Sequence, residues 1–267
     1  MAKTIKQPKY QKSHEKEFER VMSYMIDIIS TRFMNQAIKE LNKGTVEKFA
    51  DAQVGNYANV FLGLANKVRK KMLKQFDDKR IEQITRKILE KTDIQTKKQL
   101  YDRIENTIGI SSKQLLDKDG MTYQTNALIL ETAQWAKKLR DETLDLYTAN
   151  TLRAMTLGDG LEEIMSQFKG MEEKRKNHAK FTARNQIANF NAVSSKIRTK
   201  KLGITKAIWR TSKDERVRQC HAVREGKEFD LSEGLYSSCD GKSLLPGTDY
   251  QCRCTAEYII PEYETND

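Results

Sequence analysis

Apolar side chains recur at every third or fourth position along most of the chain, which is the period of amphipathic helices. Thr92 and Asp93 are expected to cap one helix, and Gly44 with Thr45 is expected to separate the first two. Trp135 is interpreted as a core or interface residue of the most strongly predicted helix. The predicted helices cover about Glu15–Phe33, Val46–Phe76, Asp78–Lys91, Thr92–Ile108, a short turn after Ser111, Thr122–Leu157 and a segment from Leu161.

The pattern changes after Gly203, where short strands and turn residues replace long helices. Strands are expected over Ile204–Arg210 and Thr255–Ile260, and all four cysteines lie between them. The predicted fold class is therefore mainly α, with a long helical N-terminal part followed by a small α+β C-terminal domain containing Cys and His. The predicted domains are a basic flexible arm over residues 1–14, a helical domain over 15–178 and a third domain over 179–267.

Composition narrows the class of protein further. The 267 residues include only three prolines, which favours a helical body. No apolar run is long enough to cross a bilayer, and the basic N-terminal segment lacks the features of a secretory signal, so the protein is expected to begin in a cytoplasm.

The net charge of +11 indicates a polyanionic partner, most commonly nucleic acid, although such charge can also only solvate helices. Nine Lys or Arg residues and no acid lie between Lys180 and Lys213. The predicted contacts to DNA phosphates are Lys180, Arg184, Lys196, Arg198, Lys200 and Lys201.

Thiol and imidazole groups near the C-terminus suggest a structural zinc site. His221, Cys252 and Cys254 are the first three candidate ligands and Cys239 is the fourth. Two alternatives stay open: the cysteines are buried as small apolar side chains, or two of them form a disulfide. Catalysis is not expected, because the chain has only three histidines and no P-loop, GxSxG or GxGxxG motif.

An ordered set of residues resembles the phage Mu F-like, or head morphogenesis, family. Trp209 ends a predicted strand, Asp214 and Arg216 follow in a turn, and His221 and Gly226 come next. A loop with Pro246 and the sequence Cys252–Arg253–Cys254 completes the pattern, which covers about residues 180–260. Asn185, Gln186 and Glu225 depart from the family pattern, which weakens a catalytic or metal role for those positions.

The resemblance implies a minor head protein of the virion, present in the host cytoplasm during assembly. Its implied partners are the portal, other capsid proteins and packaged DNA, and its helical stripes are expected to allow self-association. It implies action in head morphogenesis and a role in DNA delivery. Two alternatives remain: a sequence-independent DNA-binding protein with a zinc-stabilised module, or a metal-dependent nuclease or toxin that uses His221 with Asp214 or Glu225.

Overall fold

The computed structural model describes residues 3–40, 54–157 and 161–261. The predicted fold class is confirmed, because long helices precede a C-terminal region of short strands. The helices are α1 (Lys12–Glu40), α2 (Val54–Gln75), α3 (Asp78–Ile108), α4 (Ser112–Asp117), α5 (Thr122–Leu157), α6 (Leu161–Lys201) and α7 (Gln219–Ala222). The strands are β1 (Thr4–Lys6), β2 (Lys206–Arg210), β3 (Glu228–Asp230), β4 (Leu235–Ser237), β5 (Lys242–Leu244) and β6 (Thr255–Ile259).

The predicted break at Thr92 and Asp93 is wrong, since α3 continues through both residues. The hydroxyl of Thr92 donates to the Ile88 carbonyl one turn earlier, so it is satisfied within the helix. The Asp93 carboxylate accepts hydrogen bonds from Arg198 and therefore caps no backbone N–H. The break expected at Gly44 and Thr45 lies outside the described residues. Among the described helices, none carries an apolar stretch long enough to cross a membrane.

Strands β1, β6, β2 and β3 form one antiparallel sheet in that order, and β4 pairs with β5 in a separate ribbon. Strand β6 is central: Ile5 in β1 lies opposite Tyr258, and Ala207 in β2 lies on the other side of the same residue. Part of the segment predicted as a flexible arm is thus an edge strand, because its backbone finds partners in β6. Gln7 extends this pairing by donating its backbone N–H to the Ala256 carbonyl.

The chain divides into two compact units, each built from separated segments. The first contains Met1–Glu15, Arg86–Thr132 and Ala183–Asp267, and the second contains Lys16–Thr85 and Ala133–Thr182. The predicted domain limits stay a prediction.

Each unit has its own apolar core. In the first, Leu100 and Tyr101 of α3 are buried in one cluster with Trp209, Ala256 and Tyr258 of the sheet. In the second, the rings of Phe33, Tyr147 and Phe168 pack together with centroids 5.0–6.3 Å apart. Trp135, predicted to pack, is 42% exposed, and the Lys138 ammonium lies 5.2 Å from the centre of its ring. The first unit carries the Cys/His residues.

Candidate metal centre

A short loop and helix bring His221 back against the sheet. Strand β2 contributes the fully buried Trp209, and the chain then turns through α7 before returning to β3. Gly226 closes the turn with φ +73°, a conformation that glycine adopts readily, and its N–H donates to the Trp209 carbonyl. The His221 ring packs edge-on against the Trp209 indole, with centroids 5.6 Å apart. The Trp–His–Gly part of the sequence motif is therefore one packed unit.

Three candidate ligands converge, all of them buried: His221, Cys252 and Cys254. Nδ1 of His221 lies 3.4 Å from Sγ of Cys252 and 3.6 Å from Sγ of Cys254. Tetrahedral zinc, with bonds of about 2.3 Å to sulfur and about 2.0 Å to nitrogen, separates such N and S ligand atoms by about 3.5 Å. The three side chains thus have the chemistry of a zinc site, and both N–S separations fit one.

The other ring nitrogen of His221 is held by an ion pair. Nε2 lies 3.1 Å from a carboxylate oxygen of Asp249 and 3.1 Å from a guanidinium nitrogen of Arg218, and these two side chains pair with each other at 2.7 Å. A proton on Nε2 that is donated to Asp249 leaves Nδ1 free for a metal, the usual arrangement of metal-binding histidines. Burial raises the pKa of Asp249, but the Tyr250 backbone N–H and the charge of Arg218 outweigh it and hold that pKa below its usual range.

One hydrogen bond links the two thiols. A hydrogen bond from the Cys254 thiol lowers the pKa of Cys252 to about 4, against the opposing effect of burial. The same hydrogen bond, followed by burial, raises the pKa of Cys254. Backbone N–H groups of Gly247 and Cys254 also donate to Cys252 Sγ, each at 3.4 Å. These donors stabilise a thiolate, the form that binds metal.

Cys239, predicted as the fourth ligand, lies outside this cluster. It forms a disulfide with Cys220, so the structure contains one of the two alternatives considered for the cysteines. Cys252 and Cys254 are free and buried. The adjacent residues 220 and 221 thus belong to two different features. The Cys220 sulfur forms the disulfide, whereas the His221 ring faces the thiols of Cys252 and Cys254. Three protein ligands remain, which leaves a tetrahedral ion one further position.

The acidic residues of the motif are engaged elsewhere. Asp214 accepts two hydrogen bonds from Arg253, the residue between the two cluster cysteines. Glu225 accepts hydrogen bonds from the backbone N–H and the hydroxyl of Thr211, at 2.5 and 2.7 Å. Neither carboxylate belongs to the group of candidate ligands found among the described residues. Their contacts are therefore those of loop-fixing residues.

Arg224 is a central residue that the sequence analysis missed. Its guanidinium, in a residue 1% exposed, pairs with Asp240 and donates to the carbonyls of Cys220, Leu235 and Lys242. It also stacks over the Trp209 ring at 5.3 Å. A single arginine thus joins the disulfide loop, the β4–β5 ribbon and the motif tryptophan. Its neighbours lie up to 18 residues away along the chain, so local sequence carries no signal for this role.

The predicted phosphate contacts do not form one equivalent set. Arg198 must be removed from it: the residue is 1% exposed, and its guanidinium donates to both carboxylate oxygens of Asp93 and of Asp119. Arg184 is half-buried and pairs with Glu15 at 3.3 Å. Their charges are neutralised inside the fold.

The four predicted lysines keep more access to solvent. Lys180, Lys200 and Lys201 are exposed on α6, and Lys196 is half-buried on the same helix. Burial, followed by the charge of Lys200, lowers the pKa of Lys196. The Lys201 ammonium donates to the Asp119 and Gly120 carbonyls at 3.3 and 3.2 Å. These lysines remain candidates for phosphate contact.

Comparison with known proteins supports the resemblance to the phage Mu F-like family that the sequence motif indicates. The chain is 27% identical over 269 residues to an uncharacterized protein of Haemophilus influenzae, covering 97% of this chain and 58% of that protein. The chain thus spans little more than half the length of this relative. No solved structure matches the chain. The sequence-based resemblance is confirmed, because residues 146–257, from α5 to β6, match the model of the family described as Phage Mu protein F like protein.

Proposed function

We propose that the chain is a minor head protein that acts in phage head morphogenesis without catalysis. The observation that carries the proposal is the family match over residues 146–257. That segment contains the buried Trp209 and His221, which pack ring against ring, Gly226, whose N–H donates to the Trp209 carbonyl, and Arg224, whose hydrogen bonds serve structure. The proposed location is the virion, reached from the host cytoplasm during assembly, and the proposed partners are the portal and other capsid proteins.

Gene disruption tests this role. The gene is disrupted in the genome that encodes it, particle production is induced, and heads are counted by electron microscopy. Loss of normal heads, restored by the wild-type gene but not by a Trp209→Ala variant, supports the proposal. The exposed variant Tyr236→Ala, from the same unit, is the matched control and should restore heads fully. Normal head yield after disruption contradicts the proposal.

We also propose that lysines of α6 contact DNA phosphates without reading sequence. If Lys196, Lys200 and Lys201 each neutralise one phosphate, the slope of log K against log salt is about −2.7 from these residues. Replacing Lys200 and Lys201 by alanine should reduce its size by about 1.8. Lys206→Ala is the control, because its ammonium already pairs with Glu228 at 3.0 Å. Binding that is insensitive to salt, or absent at low salt, contradicts this proposal.

The metal proposal is a structural zinc ion held by His221, Cys252 and Cys254. When bound, zinc would fix the three side chains and stabilise the first unit. Elemental analysis of the reduced, purified chain should give about one zinc per chain. Cys252→Ser should lose the metal, whereas Cys220→Ser with Cys239→Ser should retain it. A folded wild-type chain without metal, after purification with zinc present, contradicts the proposal.

Self-association is proposed through exposed apolar positions of α5. Trp135, Leu146 and Leu157 are exposed and lie eleven residues apart, a spacing that keeps them on one face of a helix. Sedimentation analysis of wild type and a Trp135→Ser variant tests this contact. A concentration-dependent mass that falls in the variant supports it, and a strictly monomeric wild type contradicts it.

A further inference from the structure

A cavity of about 410 Å³ lies beside the Cys/His cluster, entirely within the first unit. One wall is formed by Cys252, Arg253 and Cys254, and another by residues of α6, including Asn191. The segment after β1, from Gln7 to Glu15, contributes a third wall. The volume falls in the range of small-molecule sites, about 300–1,000 Å³, and is too small for a DNA duplex.

The lining of this cavity is strongly basic. Its cations are Lys9, Lys12, Arg184, Arg216 and Arg253. The carboxylate in the same lining is Glu15, which is buried and already engaged.

Some of these cations are neutralised inside the wall and others are not. Arg184 pairs with Glu15, whose other carboxylate oxygen accepts a hydrogen bond from Tyr10, and Arg253 pairs with Asp214. Burial raises the pKa of Tyr10, so its hydroxyl stays protonated and remains a donor. Among the residues that the structure describes, Lys9, Lys12 and Arg216 form no ion pair with a carboxylate. All three are exposed, so their charges are available to a ligand that enters from solvent.

A buried polar atom in the same wall also lacks a partner. Asn191 is 3% exposed, and its side-chain nitrogen donates to the Pro8 carbonyl at 2.9 Å, which fixes the orientation of the amide. Its Oδ1 is buried and accepts no hydrogen bond from any described residue. A buried acceptor without a partner is unfavourable, and a donor group that reached this oxygen would satisfy it.

We propose that this cavity binds a phosphate monoester of about mononucleotide size. A phosphate monoester carries a charge near −2 at neutral pH, which suits three uncommitted cations better than the single charge of a carboxylate does. The phosphate can come from a free nucleotide or from the 5′ end of a DNA strand, and both sources present the same group. This inference does not depend on the head-assembly role or on bound metal.

Calorimetry with thymidine 5′-monophosphate, and with thymidine as the uncharged comparison, tests the site. The nucleotide should bind, inorganic phosphate should compete with it, and thymidine should bind at least tenfold more weakly. A Lys12→Ala, Arg216→Ala variant should weaken nucleotide binding at least tenfold. The matched control replaces Lys227 and Lys242, two exposed lysines of the same unit outside the cavity, and should leave binding unchanged.

A second arm identifies the source of the phosphate. A short single strand with a 5′-phosphate that binds more tightly than its 5′-hydroxyl form indicates a DNA end, whereas equal binding of the two strands indicates a free nucleotide. Melting temperatures and zinc content of both variants should equal those of wild type, which separates loss of the site from loss of fold or metal. Absence of nucleotide binding at millimolar concentration, or equal weakening by the control variant, overturns the proposal.

Discussion

Replacing Arg198 by methionine should destabilise the first unit, because two buried carboxylates lose their ion-pair partner. The Arg198 guanidinium makes four hydrogen bonds to Asp93 and Asp119, at 2.8–3.0 Å, and both acidic side chains are 10% exposed. Removing one partner of such a buried pair costs about 3–5 kcal/mol, since the remaining charge stays desolvated. For a chain of this size, each kcal/mol lowers the melting temperature by about 2–4 °C, so a fall of about 10 °C is expected.

Urea unfolding and calorimetry measure this loss, with Lys200→Met as the matched control from the exposed face of the same helix. Adding Asp93→Asn and Asp119→Asn to Arg198→Met should recover at least half of the lost free energy of unfolding, because no buried unpaired charge remains. A loss below about 1 kcal/mol, the range of surface ion pairs, would refute the reasoning. So would a Lys200→Met variant that is equally destabilised.

The pH dependence of the same variant gives an independent check. Burial raises the pKa of Asp119, but hydrogen bonds from Arg198 and Tyr101 outweigh it and lower that pKa below the unfolded value. In wild type this contribution is present above the unfolded pKa and is lost as the pH falls. In Arg198→Met the carboxylate is unpaired, and protonation relieves it. The stability gap between the two proteins should therefore narrow as the pH falls below about 4; a gap that widens there contradicts the assignment.

Three further predictions concern the C-terminal loops. Reducing the Cys220–Cys239 disulfide, which spans 19 residues, should lower unfolding free energy by about 3 kcal/mol in denaturant titrations. Gly226→Ala, at φ +73°, should cost about 1–2 kcal/mol by the same measurement, whereas Gly170→Ala, inside a helix with open space around it, should not destabilise. The hydrogen bond from Arg224 lowers the pKa of Asp240 to about 2, so this contribution should persist above pH 4 and vanish as the pH falls towards 2; pH-dependent melting checks it.

Local pattern was sufficient for the helical body and for two strands. The spacing of apolar residues predicts α5 with the bounds that the structure has, Thr122–Leu157. The segment Ile204–Arg210, which contains the motif tryptophan, predicts β2, and the segment after the CxC predicts β6. These features depend on neighbours within a few positions, which the sequence displays directly.

Residues with distant partners were harder to interpret. Asp93 has the local character of a helix cap, but it pairs with Arg198, which is 105 positions away. Arg198 lies in a basic segment and was therefore predicted to contact phosphate, because its acidic partners are distant in sequence and the local sequence does not reveal them. Cys239 was assigned to the metal by residue type, whereas the fold brings it within bonding distance of Cys220. His221, Cys252 and Cys254, which thiol and imidazole chemistry groups as candidate ligands, lie close together in the fold.

The most direct test of the central claim is quantitative mass spectrometry of heads purified by density gradient from cells that carry the encoding genome. The proposed role predicts that this chain is present in the DNA-filled heads at a few copies per head, and at the same ratio to the major capsid protein in successive gradients. Heads that contain DNA but not this chain would contradict the account.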